Sequence, residues 1–154
     1  MDFGAKVHSF QIDGVGFVGH LSFEAFHEDD RFPSTIFTCQ RLTKTKVKIA
    51  GADGIYATNK NRRSTTRHDI RTDFVRKGRA GKHEAHRKLL AHMITKERAS
   101  RMEGSFGTEK EHYHLNKIKA RTKKTETLWI IFGIHTANAA RIGKKMSRAR
   151  EQAA

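Results

Sequence analysis

The pair Asp13-Gly14 constrains this chain more than any other feature. "FGAKVHSFQID" precedes and includes Asp13, "GFVGHLSFEAF" follows, and both are rich in β-branched and aromatic residues. Such runs on either side of Asp-Gly predict two antiparallel strands that turn at this point. The pattern then changes. "EAFHEDDRFPSTIFTCQRLTK" contains the single proline, Pro33, and reads as a loop leading into an amphipathic helix with Ile36, Phe37, Cys39 and Leu42 partly inward. "KVKIAGAD" reads as a short strand whose apolar residues end at Asp53. Thr58 or Asn59 caps a helix through "NKNRRSTTRHD", and "IRTDFVRKG" reads as a further strand. The order is strand, strand, helix, strand, helix, strand, which is an α/β arrangement. From about Lys82 the pattern is helical, with Leu89, Leu90, Met93 and Ile94, then Met102, Phe106 and Tyr113, forming one stripe. A second helical segment spans about Glu126 to Met146. Residues 1–146 therefore read as one domain, and the tail 147–154, "SRAREQAA", lacks apolar anchors and is expected to fray.

Charge narrows the partner. Lys and Arg number 31 against 16 acids, a formal charge of +15, so a polyanion is expected, nucleic acid before membrane. The longest apolar run, Leu128 to Ile134, is far shorter than the roughly 20 residues a bilayer requires, and Met1-Asp2-Phe3-Gly4 opens no signal peptide. Cys39 is the sole cysteine, which excludes an internal disulfide and fits a reducing cytosol. Candidate phosphate-binding residues are Arg62, Arg63, Arg76, Lys77, Arg79 and Lys82, followed by a second basic series from Lys117 to Lys124. "GRAGKH" is not a phosphate-binding loop, because that motif needs Gly at Arg76 and Ser or Thr at His83. The His83/His86 and His112/His114 pairs lack further ligands at zinc-like spacing.

Two acids stand apart from this basic background. Asp53 follows "VKIAGA" and precedes Gly54, so it is either a turn-forming Asp or a group at the C-terminal end of a strand, where α/β sheets place ligands. Glu103 lies in "RMEGSFGTEKEHYHL"; at about 100° per residue Ala99, Gly107 and Lys110 share its helix face. It is either a solvated Glu among cations or a carboxylate beside a phosphate.

The segments "ADGIYATNKNRR", "IRTDFVRKGRAGKHEAHRKLLAHMITKERASRMEGSFGTEKEHYHL" and "LWIIFGIHTANA" resemble the C-terminal half of bacterial insertion-sequence DDE transposases, and "FGAKVHSFQIDG" resembles the strand pair before it. The resemblance implies a partial ribonuclease H-like fold, a mixed sheet flanked by helices, with two Asp and one Glu holding divalent metal. It makes Asp53 the second acid, Glu103 the third, both catalytic and metal-binding, and Lys110 the basic partner that holds a DNA phosphate. Mg²⁺ (or Mn²⁺) is the implied cofactor. The implied partner is DNA, at transposon ends and target, with a homo-oligomer or mixed assembly with full-length transposase and no membrane; the implied location is the bacterial cytoplasm, at the nucleoid. The chain departs from the family in two places. Only Met1 and Asp2 precede the stretch matching "FGAKV", so the first strand and its Asp are expected to be missing, and Ala99 stands where the family has Arg. The resulting expectation is a C-terminal transposase portion that binds DNA and is inactive alone. The alternative is a non-enzymatic basic nucleic-acid-binding protein.

Overall fold

The computed structural model describes residues 4–103, 107, 111, 115 and 118–153, with the backbone alone for Met102 and Glu103. The chain divides into two compact units, residues 1–26 with 102–154, and residues 27–101.

The first unit joins the two ends of the chain. Strands β1 (Lys6–Ile12) and β2 (Val15–Ser22) pair antiparallel, with Ile12 opposite Val15. Asp13 and Gly14 both take positive φ, 47° and 79°, the left-handed pair that suits a two-residue hairpin and matches strand twist. A bulge falls between His8 and Ser9. Phe10 and Phe17 stack across the strands with ring centroids 5.3 Å apart. The long C-terminal helix (Lys123–Ala153, called α4 below) buries Ile130, Ile134 and Ala137 in the same unit as Phe10. Asn138 fastens it to β2: its Oδ1 accepts from Gly16 N at 2.8 Å and its Nδ2 donates to Gly16 O at 2.7 Å. One amide thereby satisfies both polar groups of one buried peptide position, which an apolar side chain could not do. Gly133 lets Leu115 press against the helix; a Cβ there would lie 2.7 Å from Leu115 Cδ2. Where the sequence led us to expect fraying from Ser147, α4 continues to Ala153, exposed throughout that stretch.

The second unit is α/β. A single 3-10 turn, Asp29–Arg31, leads into α1 (Phe32–Thr43), which carries Pro33 in its first turn, where a missing N–H costs nothing. Phe32 is buried, but Phe37 is 66% and Leu42 48% exposed, which corrects the inward face expected for them. Phe32, Ile36 and Cys39 follow i, i+4, i+7 spacing and face in, which turns Phe37 outward. β3 (Ile49–Ala50) and β4 (Arg71–Thr72) pair parallel and are joined through α2 (Asn59–Arg67). Thr58 caps α2, its side chain accepting from Asn61 N at 3.3 Å. Asn61 is fully buried and its Nδ2 donates to Asp29 O at 2.8 Å and Tyr56 O at 3.0 Å.

Phe32, Ile70, Phe74 and Ile94 form the apolar core, with Phe32 and Phe74 rings 5.6 Å apart. Ile94 belongs to α3 (Glu84–Arg98), where it and half-buried Leu90 face inward. Leu89 and Met93, expected in the same stripe, are exposed, because each lies about 100° around the helix from the inward-facing residue that follows it, Leu90 and Ile94. Phe106 and Tyr113, and the side chain of Met102, lie outside the described residues. The molecule thus has the expected element order and mixed α/β character, with four helices among the described residues. Its antiparallel and parallel pairings form two separate two-stranded sheets instead of the expected single mixed sheet. The parallel strands are also far shorter than the apolar runs suggest, for a reason visible at their ends.

Candidate functional site

A parallel strand pair joined by a helix brings both strand C-termini to the same edge. The register sets Ala50 opposite Thr72, so the ladder stops where Gly51 and Asp73 begin. Asp73 Oδ1 accepts from Ala52 N at 3.1 Å, taking with a side chain the donor that a continued ladder would give to a carbonyl. The same carboxylate is only 4% exposed; its Oδ2 lies 3.3 Å from Arg98 Nε and 3.5 Å from Thr95 Oγ1. Arg98 Nε is buried without a well-aligned hydrogen bond, so its contact with Asp73 is ionic in character. Gly51 allows α3 to approach, since a Cβ would lie 2.8 Å from Ile94 Cγ2. The loop ahead of Asp53 is therefore held between Asp73 and α3. Sequence reasoning missed Asp73; the signal was a second Asp directly after the second strand of the βαβ unit, in "IRTD".

Asp53 stands three residues beyond β3, exposed and with extended backbone (φ −64°, ψ 162°). Its Oδ1 accepts from Gly54 N at 2.6 Å and caps the 3-10 turn Gly54–Tyr56. The turn-forming role is thus present, and it engages one oxygen of an exposed carboxylate at a strand end. Just beyond, Tyr56 donates its hydroxyl to Glu28 Oε2 at 3.2 Å, and burial together with Glu28 raises its pKa.

After α3 the backbone of Ala99–Glu103 forms a π-helical turn. This corrects the uniform 100° spacing expected around Glu103, and turns of this kind recur at functional positions in helices. The side chain of Glu103 and the whole of Lys110 lie outside the described residues. Asp53 falls in the continuous unit and Glu103 in the other. Among the described residues no three His, Cys, Asp or Glu side chains gather as a metal site.

The candidate cations between 62 and 82 fall on two stretches. Arg62 and Arg63 are on α2; Arg62 donates Nε to Ala57 O at 2.9 Å and lies over the Phe74 ring at 5.5 Å, whereas Arg63 is exposed. Arg76, Lys77, Arg79 and Lys82 occupy the exposed loop between β4 and α3. Arg76 Nη1 reaches Glu84 Oε2 at 3.3 Å, and Lys77 Nζ donates to Asn59 Oδ1 at 3.2 Å.

Among the described residues no helix is long and apolar enough to cross a membrane. No match was found among curated proteins or solved structures. Residues 51–136 match the family model described as a transposase DDE domain. That span starts two residues before Asp53, takes in α2, β4 and α3, passes Glu103 and ends within α4. The chain belongs to the transposase DDE domain family.

Proposed function

We propose that this chain carries a DDE transposase catalytic region with a partial ribonuclease H-like fold, binding DNA through its basic surface and contributing two acids to the catalytic centre. The observation that carries this reading is Asp53: within the matched span, an exposed carboxylate stands at the C-terminal edge of a parallel strand pair, and its second oxygen makes no hydrogen bond among the described residues. Asp53 and Glu103 supply hard oxygen donors of the kind Mg²⁺ or Mn²⁺ takes, and they would hold the ion in the assembled centre. When bound, such an ion polarises the phosphoryl oxygen and activates the attacking hydroxyl or water. The chain's own residues do the rest: Asp73 and Gly51 fix the loop that presents Asp53, and the cations hold phosphates without regard to sequence. Lys110, matching the family's basic partner of the Glu, would hold a phosphate near the ion.

With two of the family's three acids, the isolated chain is expected to bind DNA and leave it uncut. Gel-shift and plasmid-nicking assays with Mg²⁺ or Mn²⁺ test this. Asp53→Ala and Glu103→Ala are expected to leave binding unchanged; metal-dependent nicking by the chain, lost in both variants, would refute inactivity. Failure to bind DNA at low salt would refute the reading as a whole.

A further inference from the structure

Positive charge in the continuous unit is not spread evenly over its surface. A cleft of about 490 Å³ opens between α2, β4 with the loop after it, and the first turns of α3. Arg62, Arg71, Arg76, Lys77 and Arg87 line it, and no Asp or Glu is among its lining residues. Only three of these five stand out in the basic runs of the sequence. Arg71 comes from β4 and Arg87 from α3, brought in by the fold.

Most of these cations are already fixed. Arg62 is tied by Nε to Ala57 O and lies over the Phe74 ring. Glu84, at the start of α3, takes Arg87 Nη2 on Oε1 at 2.7 Å and Arg87 Nε on Oε2 at 3.1 Å, a fork-on-fork pair. Its Oε2 also lies 3.3 Å from Arg76 Nη1, so one carboxylate braces two guanidiniums. Arg87 Nη1 completes the frame at Phe74 O, 3.4 Å away. Lys77 rests on Asn59, and Arg71 makes no side-chain hydrogen bond or ion pair among the described residues. Guanidiniums have five N–H donors, so the braced ones keep donors to spare. Side chains ordered in advance lose less entropy when a ligand arrives. The cleft is also wider than a single phosphate needs, and its cations come from three elements, which suits an extended anion.

We propose that this cleft holds the phosphodiester backbone of DNA, with Arg71, Lys77 and Arg87 donating to phosphate oxygens and Glu84 acting as a positioning residue for Arg76 and Arg87. The proposal rests on the reading of the chain as DNA-binding and names the surface that does it. Each phosphate contact releases condensed counterions, so removing one lowers the salt dependence of binding by roughly one unit of slope.

The test is duplex binding by the full chain across a salt series. Arg71→Ala/Lys77→Ala is compared with a charge-matched control, Lys144→Ala/Arg148→Ala, on the exposed end of α4. Circular dichroism checks that both variants fold. The cleft variant is expected to bind roughly tenfold more weakly with a slope smaller by about two, and the control to change much less. Glu84→Gln separates bracing from charge: it adds net positive charge, so simple attraction gives tighter binding, whereas loss of the brace gives weaker binding and a smaller slope. Equal losses in cleft and control variants, or tighter binding by Glu84→Gln, overturn the proposal while leaving DNA binding intact. Absence of DNA binding by the unaltered chain defeats the functional reading first and the cleft with it. Preferential capture of folded RNA through the same residues overturns the assignment to DNA.

Discussion

The two units satisfy their backbones in contrasting ways. The hairpin of the first unit spans Lys6–Ile12 and Val15–Ser22, so the peptide groups that face across it pair strand to strand over seven residue pairs, and Asn138 attaches α4. The continuous unit has strands of two residues each, and the peptide groups this leaves over are taken by individual side chains. Asn61 accounts for the carbonyls of Asp29 and Tyr56, and Asp73 for the amide of Ala52. A long ladder distributes its stability over many equivalent bonds. A short one concentrates it in a few irreplaceable residues, and here one of these also sets the loop that carries Asp53.

The sharpest way to break this contrast is Asp73→Ala, which strands Arg98 and the Ala52 amide together. It is expected to destabilise the continuous unit by about 2–4 kcal/mol, read by denaturant unfolding. An effect below about 1 kcal/mol would show that the short sheet does not depend on its side-chain acceptor. Asn138→Ala removes both bonds to Gly16 and is expected to cost about 2–3 kcal/mol, confined to the hairpin and α4. Hydrogen exchange should then show faster exchange at Gly16 while Asn61 and its neighbours stay protected. Gly51→Ala forces a methyl into Ile94 and is expected to cost about 1–3 kcal/mol and to loosen the Asp53 loop.

Acid distinguishes the units more gently. Hydrogen bonds from Arg87, then the nearby charges of Arg87 and Arg76, hold the Glu84 carboxyl down to about 2. A carboxyl lowered on folding contributes stability that is present above its unfolded value, near 4.5, and is lost as pH falls through its folded value near 2. Thermal melts of the continuous unit should therefore decline between those limits, and Glu84→Gln should remove that part of the decline. The smallest effect is expected at Phe37, where Phe37→Ser should change stability by no more than about 0.5 kcal/mol in the same melts, since the ring faces solvent.

How much of this could be read from the sequence follows the range of the interactions involved. The hairpin was legible because an Asp-Gly pair between alternating runs encodes its own turn, and the Thr58 cap because capping acts within three residues. Asp53 was legible as a choice between turn and ligand, and its geometry retains the turn while leaving the carboxylate exposed. The exposure of Phe37, Leu89 and Met93 was not, because helical spacing allows several apolar stripes and packing selects among them. Asp73 was hidden for a related reason: the burial of that acid depends on the register of two strands joined through a whole helix. The π turn before Glu103 has no local signature in "ASRME". The cleft needed a fold to gather Arg71 and Arg87 beside the cations of the loop.

The clasp between Gly16 and Asn138 joins positions 122 residues apart, whereas the other unit, residues 27–101, is continuous in sequence. On the ribosome the middle of the chain can therefore finish first. The hairpin made before it waits with the side of β2 that receives Asn138 bare until the last helix emerges, so a message cut short ahead of that helix would release a completed centre with a sticky, uncapped β-ribbon at its head.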